Sequence, residues 1–233
     1  MSSLDVRKAL RSAANPEKAA FYPRFFKAGK GEYAEGDKFI GVVVPEQRKI
    51  AKAFRHLTLV QARSLLKDAY HECRLTALLI LVQKFEKSEP LEQEAIVAFY
   101  LEHLDHVNNW DLVDSSADKI LGRWLLEKDR DVLYELAERD LWRQRVSIIA
   151  TYAFIKEGDF DDTLKLAEKL RDHEHDLIHK AVGWMLREVG NRDRAREEQF
   201  LKKHYKRMPR TMLRYAIEKF PERRRKAYLE GRV

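Results

Sequence analysis

The sequence predicts an all-α protein, a single right-handed solenoid of stacked two-helix repeats. Three observations carry this. Apolar residues recur at helical spacing in one segment after another, each about 10–16 residues long. Glycine and proline number only nine and six in 233 residues, and many of them stand in the short gaps between those segments. Five positions, Arg74, Trp110, Arg145, Lys180 and Arg214, are separated by 36, 35, 35 and 34 residues, each followed by a largely apolar helical stretch. One domain is expected over 1–233, with N-terminal helices and a linker in 1–44 and stacked repeats in 45–230.

Taken in order, Leu4 to Ala13 reads as a short helix. Asn15-Pro16-Glu17 is a helix start: a capping side chain, a proline at the first helical position, an acid in the first turn. That helix carries Phe21, Tyr22, Phe25 and Phe26 and runs to about Ala28. Gly29, Gly31 and Gly36 mark a loop. Phe39-Ile40-Gly41-Val42-Val43-Val44 is strand-like by propensity, but no second strand exists to pair with it. It is therefore read as an extended buried linker. Pro45 opens the next helix, and helices are then expected over 45–56, 58–68, 71–87, 90–104, 109–121, 130–139, 141–157, 160–171, 176–189, 194–207, 210–219 and 221–229. The separators are Ser88-Glu89-Pro90, Gly122, Gly158-Asp159, Gly190-Asn191, Met208-Pro209 and Pro221.

A two-helix unit recurring every ~35 residues, without the ankyrin Thr-Pro-Leu-His signature, is of HEAT or TPR type. Stacking sets the second helices on one wall, usually the concave one. Four of the five register residues are basic (Arg74, Arg145, Lys180, Arg214), which predicts a row of positive charge and a concave basic groove.

The charge pattern agrees. Lys+Arg total 45 against 38 Asp+Glu, a net +7 with pI near 9.3. Sixteen basic and seven acidic residues lie between Arg187 and Val233, so the rest of the chain is slightly acidic. A basic end on a globular chain points to a polyanion, usually nucleic acid, against the alternative of a solvated surface. A lone Cys73 excludes an intrachain disulfide and any multi-cysteine zinc site. It points to a reducing, cytoplasmic setting and, within an apolar helical run, to a buried inert thiol. No signal peptide is expected from Met1-Ser2-Ser3-Leu4-Asp5, and no apolar run of about 18 residues is present.

The stretch Asn108-Asn109-Trp110-Asp111-Leu112-Val113-Asp114 opens a helix near the chain's middle. Asn109 suits the N-cap and Asp111 the first turn. Trp110 and Asp114 stand four apart, so a helix sets an indole beside a carboxylate on one surface. A lone Trp there is more often core. Here, though, Asp114 lies four residues past its register position and Trp184 four past Lys180, equivalent places two repeats apart with Arg145 between them. A concave wall would gather Trp110, Asp114, Arg145 and Trp184 into one patch. Aromatic faces attract cations, a carboxylate stabilises developing positive charge and orients water, and arginine holds phosphate. A cationic modified base on a polyanionic backbone fits that combination.

These residues resemble the AlkD-like alkylpurine DNA glycosylases, the HEAT-repeat DNA alkylation repair family. The matching segments are Asn15-Pro16-Glu17-Lys18-Ala19; Gly41 to Pro45 with Glu46 and Arg48; Trp110-Asp111 with Val113-Asp114-Ser115; Trp142 with Gln144-Arg145; and Lys180-Ala181 with Gly183-Trp184 and Leu186-Arg187-Glu188. They span most of the chain. The resemblance implies a solenoid that holds double-stranded DNA on its concave face and hydrolyses the N-glycosidic bond of purines alkylated at N3 or N7, without a deep base-flipping pocket. Asp114 would be the catalytic carboxylate and Trp110 and Trp184 the clamp on the lesion's deoxyribose. Arg145 would contact the backbone nearby, with Arg74, Lys180, Arg187, Arg214 and Phe25 as further DNA contacts. A monomer without cofactor or metal is implied, acting on DNA in the cytoplasm. Two positions depart from the family pattern. Asn109 stands where the family has a second Trp, and Phe25 where it has a Tyr that contacts DNA.

Other groupings point elsewhere. His173-Glu174-His175-Asp176 with His179 is read as a hydrated turn before a metal site. Tyr205, Lys206 and Arg207 with Arg223-Arg224-Arg225-Lys226 are phosphate contacts or solvated charge. Trp124 and Trp142 fall on apolar faces and are expected in the core. Walker, Gly-x-Gly-x-x-Gly and serine-elbow motifs are missing. The competing classes are a non-catalytic binder of duplex or branched DNA, which would tolerate Asp114→Asn, and a protein-binding scaffold with a mixed or apolar concave face.

Overall fold

Capping side chains set the starts of six helices in the computed structural model, which describes residues 1–233 and holds fifteen α-helices and no strand. The expected all-α helical-repeat fold is the one found. By its contacts the chain divides into two compact units, Met1–Ser116 and Ala117–Val233. No helix is long and apolar enough to cross a membrane.

In the first unit α1 (Ser3–Ser12) begins at a capping box, Ser2 with Asp5. α2 (Pro16–Phe25) begins where Asn15 Oδ1 accepts the Lys18 N–H at 2.9 Å. It stops short of the expected Ala28 because Lys27 turns into the left-handed region, φ 57°. α3 (Val44–Ala53) and α4 (Leu59–Leu66, capped by Thr58 with Gln61) pack against α5 (His71–Phe85). Every residue of α5 from His71 to Val82 is buried, which explains its lack of a polar face. α6 (Pro90–Glu102), a 3₁₀ turn (Leu104–His106) and α7 (Trp110–Ser116) complete the unit.

The extended linker pairs with α5's entry through one bridge, Lys38 with Tyr70. The Lys38 N–H donates to Ala69 O and the His71 N–H to Lys38 O. Gly41 and Val42 are buried as expected, but Val43 and Val44 face outward. Glu72, buried on α5, holds the strand-like stretch: its carboxylate accepts the N–H groups of Ile40, Gly41 and Val42, at 2.7 Å for Gly41. Gly41 is required here. Its φ is 88°, and a Cβ would lie 2.0 Å from Asn15 O. Glu72→Ala strands three N–H groups at or beside the core. It is expected to cost about 2–4 kcal/mol in urea unfolding, against near-neutrality if the linker is held by packing alone.

The second unit opens on a π-turn (Asp118–Gly122), followed by α8 (Asp131–Leu136), α9 (Leu141–Ala150), α10 (Tyr152–Lys156) and α11 (Asp161–Lys169). α12 (Asp176–Arg192) then packs against α9, α13 (Arg194–His204) and α14 (Arg210–Ala216); α15 (Glu222–Leu229) ends the unit. Two expected helices are interrupted. The 141–157 helix breaks at Thr151, whose Oγ1 donates back to Ile148 O at 2.7 Å. The 109–121 helix ends at Ser116, and its continuation widens to a π-turn closed by Gly122 N–H to Ala117 O. Gly122 packs so closely on Ala150 that a Cβ would sit 2.1 Å from its carbonyl oxygen. Gly190-Asn191, expected as a separator, lies inside α12 instead.

Candidate active site

In the first unit the site is built on α7. The Asn109 carbonyl accepts the first helical bond, from Val113, and its side-chain oxygen accepts the Trp110 N–H at 2.8 Å. Trp110 and Asp114 follow on one face, both half-buried. The Trp110 indole stacks on Phe26 (5.6 Å between centroids, 20°) and meets the edge of Phe25 at 5.8 Å. Phe25 is 48% exposed and Phe21, touching it at 5.9 Å, is 56% exposed, so this aromatic row is open to solvent.

Beneath it lies a buried polar network. His71 places Nε2 2.8 Å from Asp111 Oδ2 and Nδ1 3.3 Å from Asp37 Oδ2. Arg74 donates to the same Asp37 oxygen at 2.6 Å. Burial opposes charge on His71, but Asp111 and Asp37 outweigh it and push its pKa up to about 9. Burial likewise opposes ionisation of Asp37, yet His71 and Arg74 hold it below the usual carboxylate range.

In the second unit Trp184 on α12 is half-buried; its Nε1 donates to Glu188 Oε1 at 3.2 Å, one turn on. Tyr152 lies 6.0 Å from the indole, with Lys156 Nζ 4.1 Å over its ring. Gly183 lets α12 press onto α14, since a Cβ there would meet Met212 O at 2.5 Å. Gly183→Ala is therefore expected to lower stability by about 1–3 kcal/mol in thermal unfolding, shifting the helix that carries Trp184.

Against known families, the model described as "DNA alkylation repair enzyme" matches residues 6–220. The chain belongs to the DNA alkylation repair enzyme family. Among solved structures, one titled "Predicted DNA alkylation repair enzyme from Enterococcus faecalis" superposes with a TM-score of 0.70 at 20% identity. The match covers 90% of this chain and 97% of that one, and shows the shared fold. No curated protein matches the chain at a significant level.

The other expected contact residues of this family member divide into two groups. Lys180 and Arg187 are partly open and Arg214 is exposed; Lys180 pairs with Asp176 at 2.6 Å and Arg187 with Glu218. Arg74 and Arg145 are placed differently from the expected row of exposed charge. Both are only 4% exposed. Arg74 is committed to Asp37 and the Asp68 carbonyl, and Arg145 donates to the Leu177 carbonyl ahead of the α12 core. A repeat period finds the position that faces a neighbouring hairpin, whatever that position binds there.

Smaller expectations also shift. Trp124 and Trp142 are half-buried rather than core, with Lys128 Nζ 4.1 Å over the Trp124 ring. Tyr205 is buried, its hydroxyl donating to Val233 O, whereas Lys206 and Arg207 are exposed. His175 caps α12 by accepting the Leu177 N–H. Cys73 is buried, and burial pushes its thiol up to about 12, so it is inert. Sequence reasoning missed His71, Asp37, Tyr152 and the roles of Asp111 and Glu188. Only Glu188, four residues after Trp184, left a local signal.

Proposed function

We propose that the chain is a DNA glycosylase that hydrolyses the N-glycosidic bond of cationic N3- or N7-alkylated purines in duplex DNA. The observation that carries this is the pair on α7, an indole and a carboxylate side by side and partly open to solvent, in a member of the DNA alkylation repair enzyme family.

An alkylated purine is already positively charged, so it leaves as a neutral base without being protonated. The C1′–N bond breaks toward an oxocarbenium-like sugar, a water oxygen bonds to C1′ and the water's proton passes to solvent or carboxylate. Asp114 stabilises the developing sugar cation and orients that water. Trp110 turns its ring face to the lesion's deoxyribose, and Trp184, in the second unit, offers a further indole for contact with the substrate. Lys180, Arg187 and Arg214 contact phosphates, Phe25 packs against the strand, and Arg74 and Arg145 serve the framework. The leaving group needs no general acid, and we propose, as the family resemblance implies, that the base is not drawn into a deep pocket. The enzyme acts as a monomer without a cofactor.

The test is free base released from duplex DNA containing 7-methylguanine or 3-methyladenine, quantified by chromatography. Release from either supports the proposal. No release from both, with salt-sensitive binding retained, would leave a non-catalytic DNA binder.

A further inference from the structure

We propose that His71 is a positioning residue for the glycosylase site: a buried imidazolium bridging Asp37 and Asp111 that fixes the first turn of α7, and with it the indole of Trp110 and the carboxylate of Asp114. The inference rests on the glycosylase reading and deepens it.

Geometry argues for the charge. Both ring nitrogens of His71 face carboxylate oxygens. A neutral imidazole has one N–H and one bare nitrogen, so it would set a lone pair against one of those carboxylates; only the doubly protonated ring donates to both. The charged groups facing it are Asp37 from the linker loop, Asp111 from α7 and Arg74 from its own helix; Glu72 is its neighbour in sequence. Glu72 is occupied by the linker N–H groups, with the Tyr22 hydroxyl of α2 in its field. With His71 charged, the two cations His71 and Arg74 balance Asp37 and Asp111. Deprotonation leaves one uncompensated charge in a buried site.

The coupling to the site is direct. α7 has seven residues, too few to hold a helix unaided. Asp111 sits in its first turn, next to Trp110 and three residues before Asp114. Oδ1 of Asp111 is buried without a hydrogen-bond partner, so the carboxylate is held through Oδ2 on His71. The Phe26 ring that stacks on Trp110 also lies 4.6 Å from the His71 ring, so one aromatic plate touches both. Loss of the proton releases the helix start and the plate behind the indole together.

The test uses the full chain under single-turnover conditions with saturating protein, on 7-methylguanine duplex from pH 6.5 to 9.5, corrected for spontaneous release. Wild type, His71→Gln and Asp111→Asn are compared, with DNA affinity measured beside each rate. His71→Gln keeps an amide N–H for Asp111 but no charge. Wild-type release is expected to fall above pH about 9, where burial and the carboxylates place the loss of the His71 proton. His71→Gln is expected to release base about ten- to a hundredfold more slowly, with no alkaline fall and affinity within about twofold. Independently of any variant, the imidazole ¹⁵N resonances of wild-type His71 should show both nitrogens protonated at pH 7.5. A His71→Gln rate and pH profile matching an active wild type, or a neutral His71 ring at pH 7.5, would overturn the inference and leave the glycosylase reading standing. A wild type that releases no base at any pH, with the imidazolium present, overturns the glycosylase reading and the catalytic purpose of the network with it.

Discussion

Asp114→Asn is expected to slow single-turnover release of 7-methylguanine by about 10²–10³-fold while leaving duplex affinity within about twofold. The substitution is nearly isosteric, so the packing of α7 on α5 is kept and only the negative charge is lost. A carboxylate next to a sugar cation acts where charge develops, so its removal raises the barrier far more than it weakens ground-state binding. The fold-change corresponds to about 3–4 kcal/mol of transition-state stabilisation. Two companion measurements make the result specific. The melting temperature of the variant should stay within a few degrees of wild type, which excludes a merely structural role. A non-catalytic DNA binder would show no base release from either protein and equal affinities. Release by Asp114→Asn at the wild-type rate would remove this residue from the chemistry and move attention to the other carboxylates near the indoles, Asp111 and Glu188.

Several helix starts were legible because they are written locally. Ser2, Asn15, Thr58 and Asp140 each accept a first-turn N–H with their own side chain. Helix interruptions were not, because their causes are tertiary or involve a competing bond. Thr151 breaks a helix through a hydroxyl bond that propensity does not resolve, and the turn at Gly122 follows from close approach to Ala150. The same division holds at the site. Trp110 and Asp114 could be paired from spacing alone, since a helix converts four residues into one face. His71 and Asp111 lie forty residues apart, and each has an ordinary local explanation as a residue of a helix's first turn. Only packing brings them to 2.8 Å. Arg74 and Arg145 show the converse. Their recurrence was real, but the partners that a buried guanidinium finds, Asp37 and the Leu177 carbonyl, are not encoded in the period.

The contribution of Glu197 to folding stability should fall as pH rises from about 4.5 to about 8, and Glu197→Gln should remove it. Glu197 on α13 is 1% exposed, with Oε1 buried and unpartnered. It lies against Gly190 of α12 so closely that a Cβ there would be 1.6 Å from Oε2. Burial pushes its pKa up to about 8, from 4.5 for an unburied glutamate; nearby Arg194 and Arg187 pull it down and Glu198 adds to the rise. Below pH 4.5 both folded and unfolded chains carry the proton and the group costs nothing. Between 4.5 and 8 the unfolded chain releases it while the folded chain keeps it, so each pH unit lowers stability by up to about 1.4 kcal/mol. Above 8 both are ionised and the loss levels off, at an upper bound of about 5 kcal/mol over the ~3.5-unit interval. Urea unfolding of wild type and Glu197→Gln at half-unit steps isolates this term, because the remaining carboxylates contribute equally to both. The variant should gain on wild type steadily across the interval. A constant difference at all pH values would mean that Glu197 is solvated in the folded protein. Gly190→Ala should be destabilising at every pH, since the methyl group and the carboxyl compete for one space whatever the protonation state.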